Sequence, residues 1–114
     1  MAITELYVDA GTSISTTEYS LTGDTASVQA QTSDAMIQAL IDFANMVAGD
    51  QYEVKVYDKV YGAGSQRVLY HAVLDGPQAG PLVTPGLIVM HEWDITVKRL
   101  AGSDRSISWS IRAT

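Results

Sequence analysis

A repeated alternation of apolar and polar residues, with a period of two, is the feature that most constrains this fold. It occurs in "YEVKVYDKV", which begins at Tyr52, and again in "RSISWSIR", which ends at Arg112. Because successive side chains of a strand point to opposite faces, this pattern predicts strands with one buried face. The residues expected to face the core are Tyr52, Val54, Val56, Ile107, Trp109 and Ile111.

Glycine and proline divide the second half of the chain into further strands. The glycines of "GAGSQ" predict the turn of a hairpin between "YEVKVYDKV" and "RVLYHAVLD". All three prolines lie in "GPQAGPLVTPG". Because proline has no donor for strand pairing, this segment is expected to cross between two sheets outside the ladders. The segment "LIVMHEWDITVKRL" is predicted as one strand, or as two with a kink near residues 90–92, before a turn at residues 102–104.

The segment "SDAMIQALIDFANMVAGD" fits two alternatives. Its apolar residues form a helical stripe, with Ser33 as an N-cap and Gly49 beyond the last turn. A strand over about residues 36–43, followed by a bend to Asp50, fits as well. The residues on one face of that strand would be Ile37, Ala39, Ile41 and Phe43. Periodicity alone favours the helix and leaves the choice open.

The N-terminal third of the chain is rich in Thr and Ser and offers less to bury. Short strands are predicted over residues 3–8 and 14–21, followed by a polar loop over residues 22–34. In an assembly protein this composition is also typical of an arm that orders on a neighbour. We therefore expect N-terminal strands and an arm in residues 1–33 and a β-sandwich core in residues 34–114, within one domain.

Length, charge and cysteine content restrict the classes of function. A chain of 114 residues fits one domain. The formal charge of -6 is opposite to what phosphate binding needs, so no direct nucleic-acid partner is expected. The sequence shows neither a signal-peptide pattern nor an apolar run of bilayer length, so we expect synthesis in the cytoplasm and no membrane partner. The absence of cysteine excludes a disulfide framework.

No catalytic or metal-binding motif is complete in the sequence. The His-Glu pair at His91 matches the start of the zinc motif H-E-x-x-H, but Ile95 occupies the position of the second histidine. His71 is the only other histidine, and the two have no metal-site spacing. The Gly-x-Ser-x-Gly elbow is missing, and the glycines at residues 62–64 lack the lysine of a phosphate loop. We expect no enzymatic activity, no cofactor and no bound metal.

The aromatic residues fall into two groups. Trp93 and Trp109 are in phase with the apolar core positions, so they are expected inside. Tyr57, Tyr61 and Tyr70 are candidates for an exposed patch that binds a protein or a carbohydrate.

Three segments of the chain resemble a set of small structural proteins of tailed bacteriophages. They are "IQALIDFANMVAGDQYEVKVYDKV", "SQRVLYHAVLDGPQ" and "TPGLIVMHEWDITVKRLAGSDRSISWSIR", which together extend over roughly residues 33–114. The resemblance implies a strand in the "IQALIDF" segment, which decides between the two alternatives above. The expected fold class is all-β, an antiparallel and jelly-roll-like β-sandwich with at most one short helix or turn around residues 36–48.

The resemblance implies a structural role in the virion rather than catalysis. The first expectation is a head decoration or cement protein that binds the capsid exterior and stabilises contacts between capsomers. Its partners would be itself, with a trimer favoured, and the major capsid protein, and its acidic charge suits a position away from packaged DNA. A tail-associated or head-tail joining protein is the second expectation, and a carbohydrate- or protein-binding module is the third.

The interface residues expected from exposure lie in the N-terminal strands, the central hairpin and the proline-rich crossover. They are Tyr7, Ile14, Tyr19, Leu21, Tyr57, Tyr61, Pro77, Pro81 and Pro85. The final strand would have an unpaired side unless something covers it, and Arg105 and Arg112 are expected to guard that side. We expect a neighbouring subunit to cover the second sheet edge or the N-terminal arm. Deletion of residues 1–21 is then expected to weaken assembly without unfolding the core.

Overall fold

Residues 2–114, described by a computed structural model, form two antiparallel sheets that enclose one core. No helix occurs within this range, so the predicted all-β class is confirmed. The strands are β1 (Thr4–Ile14), β2 (Tyr19–Ser20), β3 (Ala35–Asp42), β4 (Gln51–Lys59), β5 (Gln66–Asp75), β6 (Leu82–Val83), β7 (Leu87–Val89), β8 (Asp94–Ala101) and β9 (Arg105–Ala113).

The strand pairs are nested about the hairpin of β4 and β5. Outside that hairpin, β3 pairs with β6 and β7, β2 pairs with β8, and β1 pairs with β9, always antiparallel. The first sheet, sheet A, has the order β1-β9-β3-β6 with β7 also on β3, and the second, sheet B, has the order β2-β8-β4-β5. A long antiparallel ribbon that rolls up into two sheets gives this order, which is the jelly roll. The predicted jelly-roll-like sandwich is therefore confirmed.

The core lies between the sheets and follows the period-two pattern of the sequence. Along β4, buried residues alternate with half-buried ones, and β9 buries every second residue. Trp93 and Trp109 are also buried, at 0% and 4% exposure. The six residues predicted to face the core are all buried, namely Tyr52, Val54, Val56, Ile107, Trp109 and Ile111.

The ambiguous segment is a strand, as the resemblance implied. It forms β3 and ends in turns at residues 44–45 and 48–49 that lead into β4. The inward residues are those predicted for a strand, Ile37, Ala39, Ile41 and Phe43. The helical stripe arose because Met36 and Leu40 place further apolar side chains on the opposite face of the same strand.

The proline-rich crossover carries the chain from β5 in sheet B to β6 in sheet A, as predicted. It is not entirely outside the ladders, because Leu82 and Val83 pair with β3. These two residues fit an edge position because the prolines flank them and do not interrupt the pairing.

The predicted kink near residues 90–92 coincides with another change of sheet. β7 belongs to sheet A and β8 to sheet B, and Glu92 between them has a φ of +54°. Asp58, buried at the end of β4, accepts hydrogen bonds from the amides of Met90 and His91 at 3.0 and 2.8 Å. This carboxylate therefore fixes the corner of the chain.

The N-terminal third is part of both sheets rather than a separate arm. β1 is longer than the predicted strand at residues 3–8 and pairs with β9 along its length. The strand predicted over residues 14–21 is reduced to Tyr19–Ser20, which pairs with β8. The loop that follows is tied down as well, because Gln31 and Trp93 exchange backbone hydrogen bonds at 2.8 Å.

The final strand is interior to its sheet, which corrects the expectation of an unpaired side. β9 lies between β1 and β3, so the chain itself covers both of its edges. Arg105 does not guard an edge, since its Nε donates to buried Asp50 at 2.7 Å. Deletion of residues 1–21 would remove a strand from each sheet, contrary to the expectation that the core would survive it.

Candidate interaction surfaces

The outer side of sheet A, here called the sheet A face, carries solvent-exposed apolar side chains. One row crosses the sheet, because Val8 pairs with Ser110, Ser110 with Leu40, and Leu40 with Val83. Val8 is 64% exposed and Val83 is 49% exposed, whereas Leu40 is half-buried. This central row places three aliphatic side chains on a surface that the chain itself leaves open.

A second apolar row lies nearer the start of β3. Met36 is directly opposite Ile88 in the register of β3 and β7, and the two side chains are 50% and 72% exposed. A shallow cavity of about 260 Å³ opens beside them and is lined by Ile3, Met36, Ile37, Gln38, Gly86 and Arg112, with the last two residues of the chain. The apolar surface therefore continues beyond the central row.

Charges of opposite sign lie on the two sides of the central row. Arg112 is two residues beyond Ser110 on β9, and Asp42 lies opposite Ser108, two residues before it. With a rise of about 3.4 Å per residue and a strand spacing of about 4.8 Å, Arg112 and Asp42 are about 14 Å apart. Within residues 2–114, neither side chain forms an ion pair.

The turn of the β4–β5 hairpin, residues 60–65 and here called the hairpin tip, is the other exposed apolar feature. Val60 is 79% exposed and Tyr61 is 63% exposed. The side chain of Gln66 donates to the carbonyls of Gln29 and Glu92 at 2.9 and 2.5 Å. The hairpin tip is therefore held in place by the two neighbouring loops.

Two of the tyrosines expected at an interface pack against the tryptophans of the core. Tyr7 meets Trp93 edge to face, with ring centroids 6.2 Å apart, and Tyr19 meets Trp109 at 6.1 Å. The Tyr19 hydroxyl donates to Asp24 at 2.7 Å, and burial, followed by this carboxylate, raises the pKa of Tyr19 to about 12. Both rings are half-buried, so they offer a partner only an edge.

Tyr57 is likewise engaged within the chain. Its hydroxyl donates to a carboxylate oxygen of Glu18 at 2.6 Å, and the Thr96 hydroxyl donates to the same oxygen at 2.5 Å. Burial and then the hydrogen bond to Glu18 raise the pKa of Tyr57, which keeps the phenol a neutral donor. This cluster attaches the segment before β2 to the outer side of sheet B.

Ile14 and Leu21 are not interface residues, which corrects the prediction from the sequence. They are 0% and 2% exposed and belong to the core. The chain passes between the sheets at these points, where the Leu21 carbonyl accepts a hydrogen bond from Trp109 Nε1 at 3.2 Å. In a segment rich in Thr and Ser, the few aliphatic side chains are the residues most often buried.

The three prolines are exposed, as expected, but they lie in different places. Pro81 lines a shallow cavity together with Leu40 and Asp42, so it borders the sheet A face. Pro77 lines a separate cavity, on the far side of the crossover, while Pro85 precedes β7. Of the predicted residues, Pro81 borders the sheet A face and Tyr61 lies at the hairpin tip.

Most of the sheet A face was not found from the sequence. The missed residues are Val8, Met36, Leu40, Val83 and Ile88. The signal was present in "AMIQALID", where the outward positions of the strand are partly apolar too. Apolar residues on both faces are typical of a strand whose two faces are both covered.

The buried carboxylate of Asp94 has a structural role. It is 0% exposed and accepts hydrogen bonds from Ser20 Oγ at 2.9 Å, Thr22 Oγ1 at 2.6 Å and the Gln29 amide at 2.7 Å. Its own strand adds the Ile95 amide at 2.8 Å. These donors hold the loop after β2 on sheet B and satisfy the carboxylate.

No protein-family model, curated protein or solved structure matches this chain. Across residues 2–114, no group of three His, Cys, Asp or Glu side chains is placed to hold a metal ion. The same range contains no helix long and apolar enough to cross a membrane.

Proposed function

We propose that this chain is a non-enzymatic structural protein of a tailed-phage virion, and first a head decoration or cement protein on the capsid exterior. The observation that carries the proposal is the sheet A face, because contiguous exposed apolar surface on a folded subunit marks an interaction site. The resemblance of residues 33–114 to structural proteins of tailed phages supports the same conclusion, as does the net charge of -6.

The proposed partners are further copies of the chain, with a trimer favoured by the resemblance, and the major capsid protein. The sheet A face and the hairpin tip belong to different sheets, so one subunit offers separate contacts to two neighbours. Weak contacts repeated over many copies give high total affinity, which is what reinforcement of a shell requires. The acidic charge favours the outside of the head, away from packaged phosphates.

The experiment that tests this proposal is quantitative mass spectrometry of purified particles of the source phage. A fixed ratio of this chain to the major shell subunit is the expected result for a decoration protein. A few copies per particle would instead indicate a tail-associated or head-tail joining protein. Absence from the particle would overturn the structural role.

A carbohydrate- or protein-binding module is the candidate from a different functional class, and the exposed ring of Tyr61 favours it. A tyrosine at 63% exposure on a supported loop offers a stacking face for a sugar or a side chain. The test is a glycan and peptide binding screen with the isolated chain and with Tyr61→Ala. Specific binding that Tyr61→Ala abolishes would place this candidate first.

A further inference from the structure

We infer that the sheet A face is covered by a second copy of this chain. The inference rests on the proposed function as an assembly subunit and names the surface through which copies meet. It follows from the self-complementary layout of the face, from its size and from the short side chains on the outer side of β9.

The layout of the face matches itself after a half turn. The central row of Val8, Ser110, Leu40 and Val83 crosses the sheet, with Arg112 on one side and Asp42 on the other. A copy turned by a half turn about this row places its own central row on the first. Its Arg112 then lies over β9 near Ser108, one strand from Asp42 of the first copy, and the reverse contact forms at the same time.

The charges suit this arrangement. Arg112 and Asp42 lie on adjacent strands, so the turned copy leaves a sideways offset of about 4.8 Å, which an arginine side chain spans. Arg112 donates to Ser110 Oγ at 3.2 Å, and the same hydroxyl donates to the Glu5 carboxylate. The hydrogen bond to Ser110 therefore orients the Arg112 guanidinium toward the central row.

The size and shape of the face meet the needs of a stable contact. The strands β1, β9, β3, β6 and β7 have 11, 9, 8, 2 and 3 residues. At about 3.4 Å per residue and about 4.8 Å between strands, they give a projected area of about 540 Å² per copy. Standard interfaces bury about 800 Å² of accessible surface per partner, and a pleated face has more accessible than flat area. The serines on the outer side of β9 are short and let a second sheet approach closely.

A contact of this kind closes as a pair, so the sheet A face by itself makes a dimer. A trimer would require a different contact elsewhere on the surface. The major capsid protein is the alternative occupant of this face, and binding of the wild type and of Val8→Asp to phage shells distinguishes the two.

The first test measures the mass of the full chain by sedimentation equilibrium over a range of concentrations. The wild type is expected to form a dimer, and Val8→Asp is expected to raise the dissociation constant at least tenfold by placing a carboxylate in the central row. Val60→Asp is the matched control, because it makes the same change at a position that is 79% exposed on the hairpin tip. A circular dichroism melt of each variant establishes that it is folded.

The second test exchanges the charges. Arg112→Asp and Asp42→Arg are each expected to weaken the dimer, and the double variant is expected to restore it. Since the two side chains are about 14 Å apart within one chain, restoration requires a contact between copies. A double variant no stronger than the single ones would overturn the proposed pairing.

A wild type that remains monomeric, or an oligomer that Val8→Asp does not affect, would also overturn the inference. If the monomeric wild type nevertheless binds phage shells and Val8→Asp does not, the capsid protein covers the face and the proposed function stands. If the dimer forms as expected but the chain is absent from particles, the proposed function fails while the interface remains.

Discussion

At the scale of single residues, Asp50 links the turn before β4 to the turn between β8 and β9. Its carboxylate accepts hydrogen bonds from Arg105 Nε at 2.7 Å, the Val47 amide at 3.0 Å and the Ser103 amide at 3.1 Å. The hydrogen bond from Arg105, followed by those from the two amides, lowers the pKa of Asp50 from 3.8 to about 2. The folded state therefore binds this proton less tightly than the unfolded chain does.

We expect this carboxylate to make stability depend on pH in the acid range. Because the pKa is lowered on folding, the stabilisation is complete above pH 3.8 and is lost as the pH falls toward about 2. Thermal unfolding of the wild type and of Asp50→Asn between pH 2 and pH 7 measures how the melting temperature depends on pH. Asp50→Asn should melt lower at neutral pH and show a smaller decrease on acidification. Asp34→Asn is the control, because Asp34 is exposed. If Asp50→Asn lost as much stability on acidification as the wild type does, the prediction would be contradicted.

Gly102 is the second residue whose identity the local geometry requires. It has a φ of +86°, and a Cβ atom there would lie 2.7 Å from the Cα of Asp50. Gly102→Ala is expected to lower the free energy of unfolding by about 1–3 kcal/mol, from the backbone conformation and the displaced turn. Urea denaturation measures the change. Gly80→Ala is the control, because its Cβ would meet nothing within 4 Å, and an equal loss there would contradict the explanation.

At the scale of elements, β1 decides whether the N-terminal segment is an arm or a part of the core. β1 pairs with β9, and Ile14 at its end is 0% exposed. Because β1 both pairs with β9 and buries Ile14 in the core, β1 contributes to the stability of the whole sandwich.

Deletion of residues 1–14 is expected to abolish cooperative unfolding, because it exposes one side of β9 and opens the core. Deletion of residues 1–3, which precede β1, is the control and should leave the urea midpoint nearly unchanged. The measurement is urea denaturation followed by tryptophan fluorescence. A cooperative transition of normal midpoint after the longer deletion would restore the idea of a removable arm.

Strands with one apolar face were predictable, and those with mixed faces were not. In β4 and β9 the inward positions are apolar and most of the outward ones are polar, so the period of two was visible. In β3, Met36 and Leu40 add apolar residues outside, so periodicity alone favoured a helix. The sheet A face depends on those outward residues, and pattern reasoning had assigned them to a helical stripe.

At the scale of the whole molecule, the nested pairing joins the two ends of the chain. Thr4 lies opposite Ala113, and the β4–β5 hairpin is the only strand pair closed by a short turn within residues 2–114. Pairing of strands far apart in the sequence closes a long loop, and the entropy lost in that closure slows folding. The fold is shared by proteins of many functions, so the proposed role depends on the surfaces rather than on the jelly roll itself.

We expect refolding to take milliseconds to seconds rather than microseconds, as is typical of small domains with non-local sheets. Trp93 and Trp109 are 0% and 4% exposed, so their fluorescence reports formation of the core in a stopped-flow experiment. Refolding within about 100 μs would contradict this prediction, because the β1–β9 pair cannot form early at low entropic cost.

The sequence by itself determined the mostly β character, the inward residues of β4 and β9, the β4–β5 hairpin, the proline-rich crossover and the kink near residues 90–92. These features are local, because alternation, glycine and proline act over a few residues. Only the tertiary structure decided that β9 lies between β1 and β3, that Ile14 and Leu21 are buried, and that Arg112 and Asp42 flank an apolar row. Those facts depend on which strands pair across the whole length of the chain, and no local pattern specifies that choice.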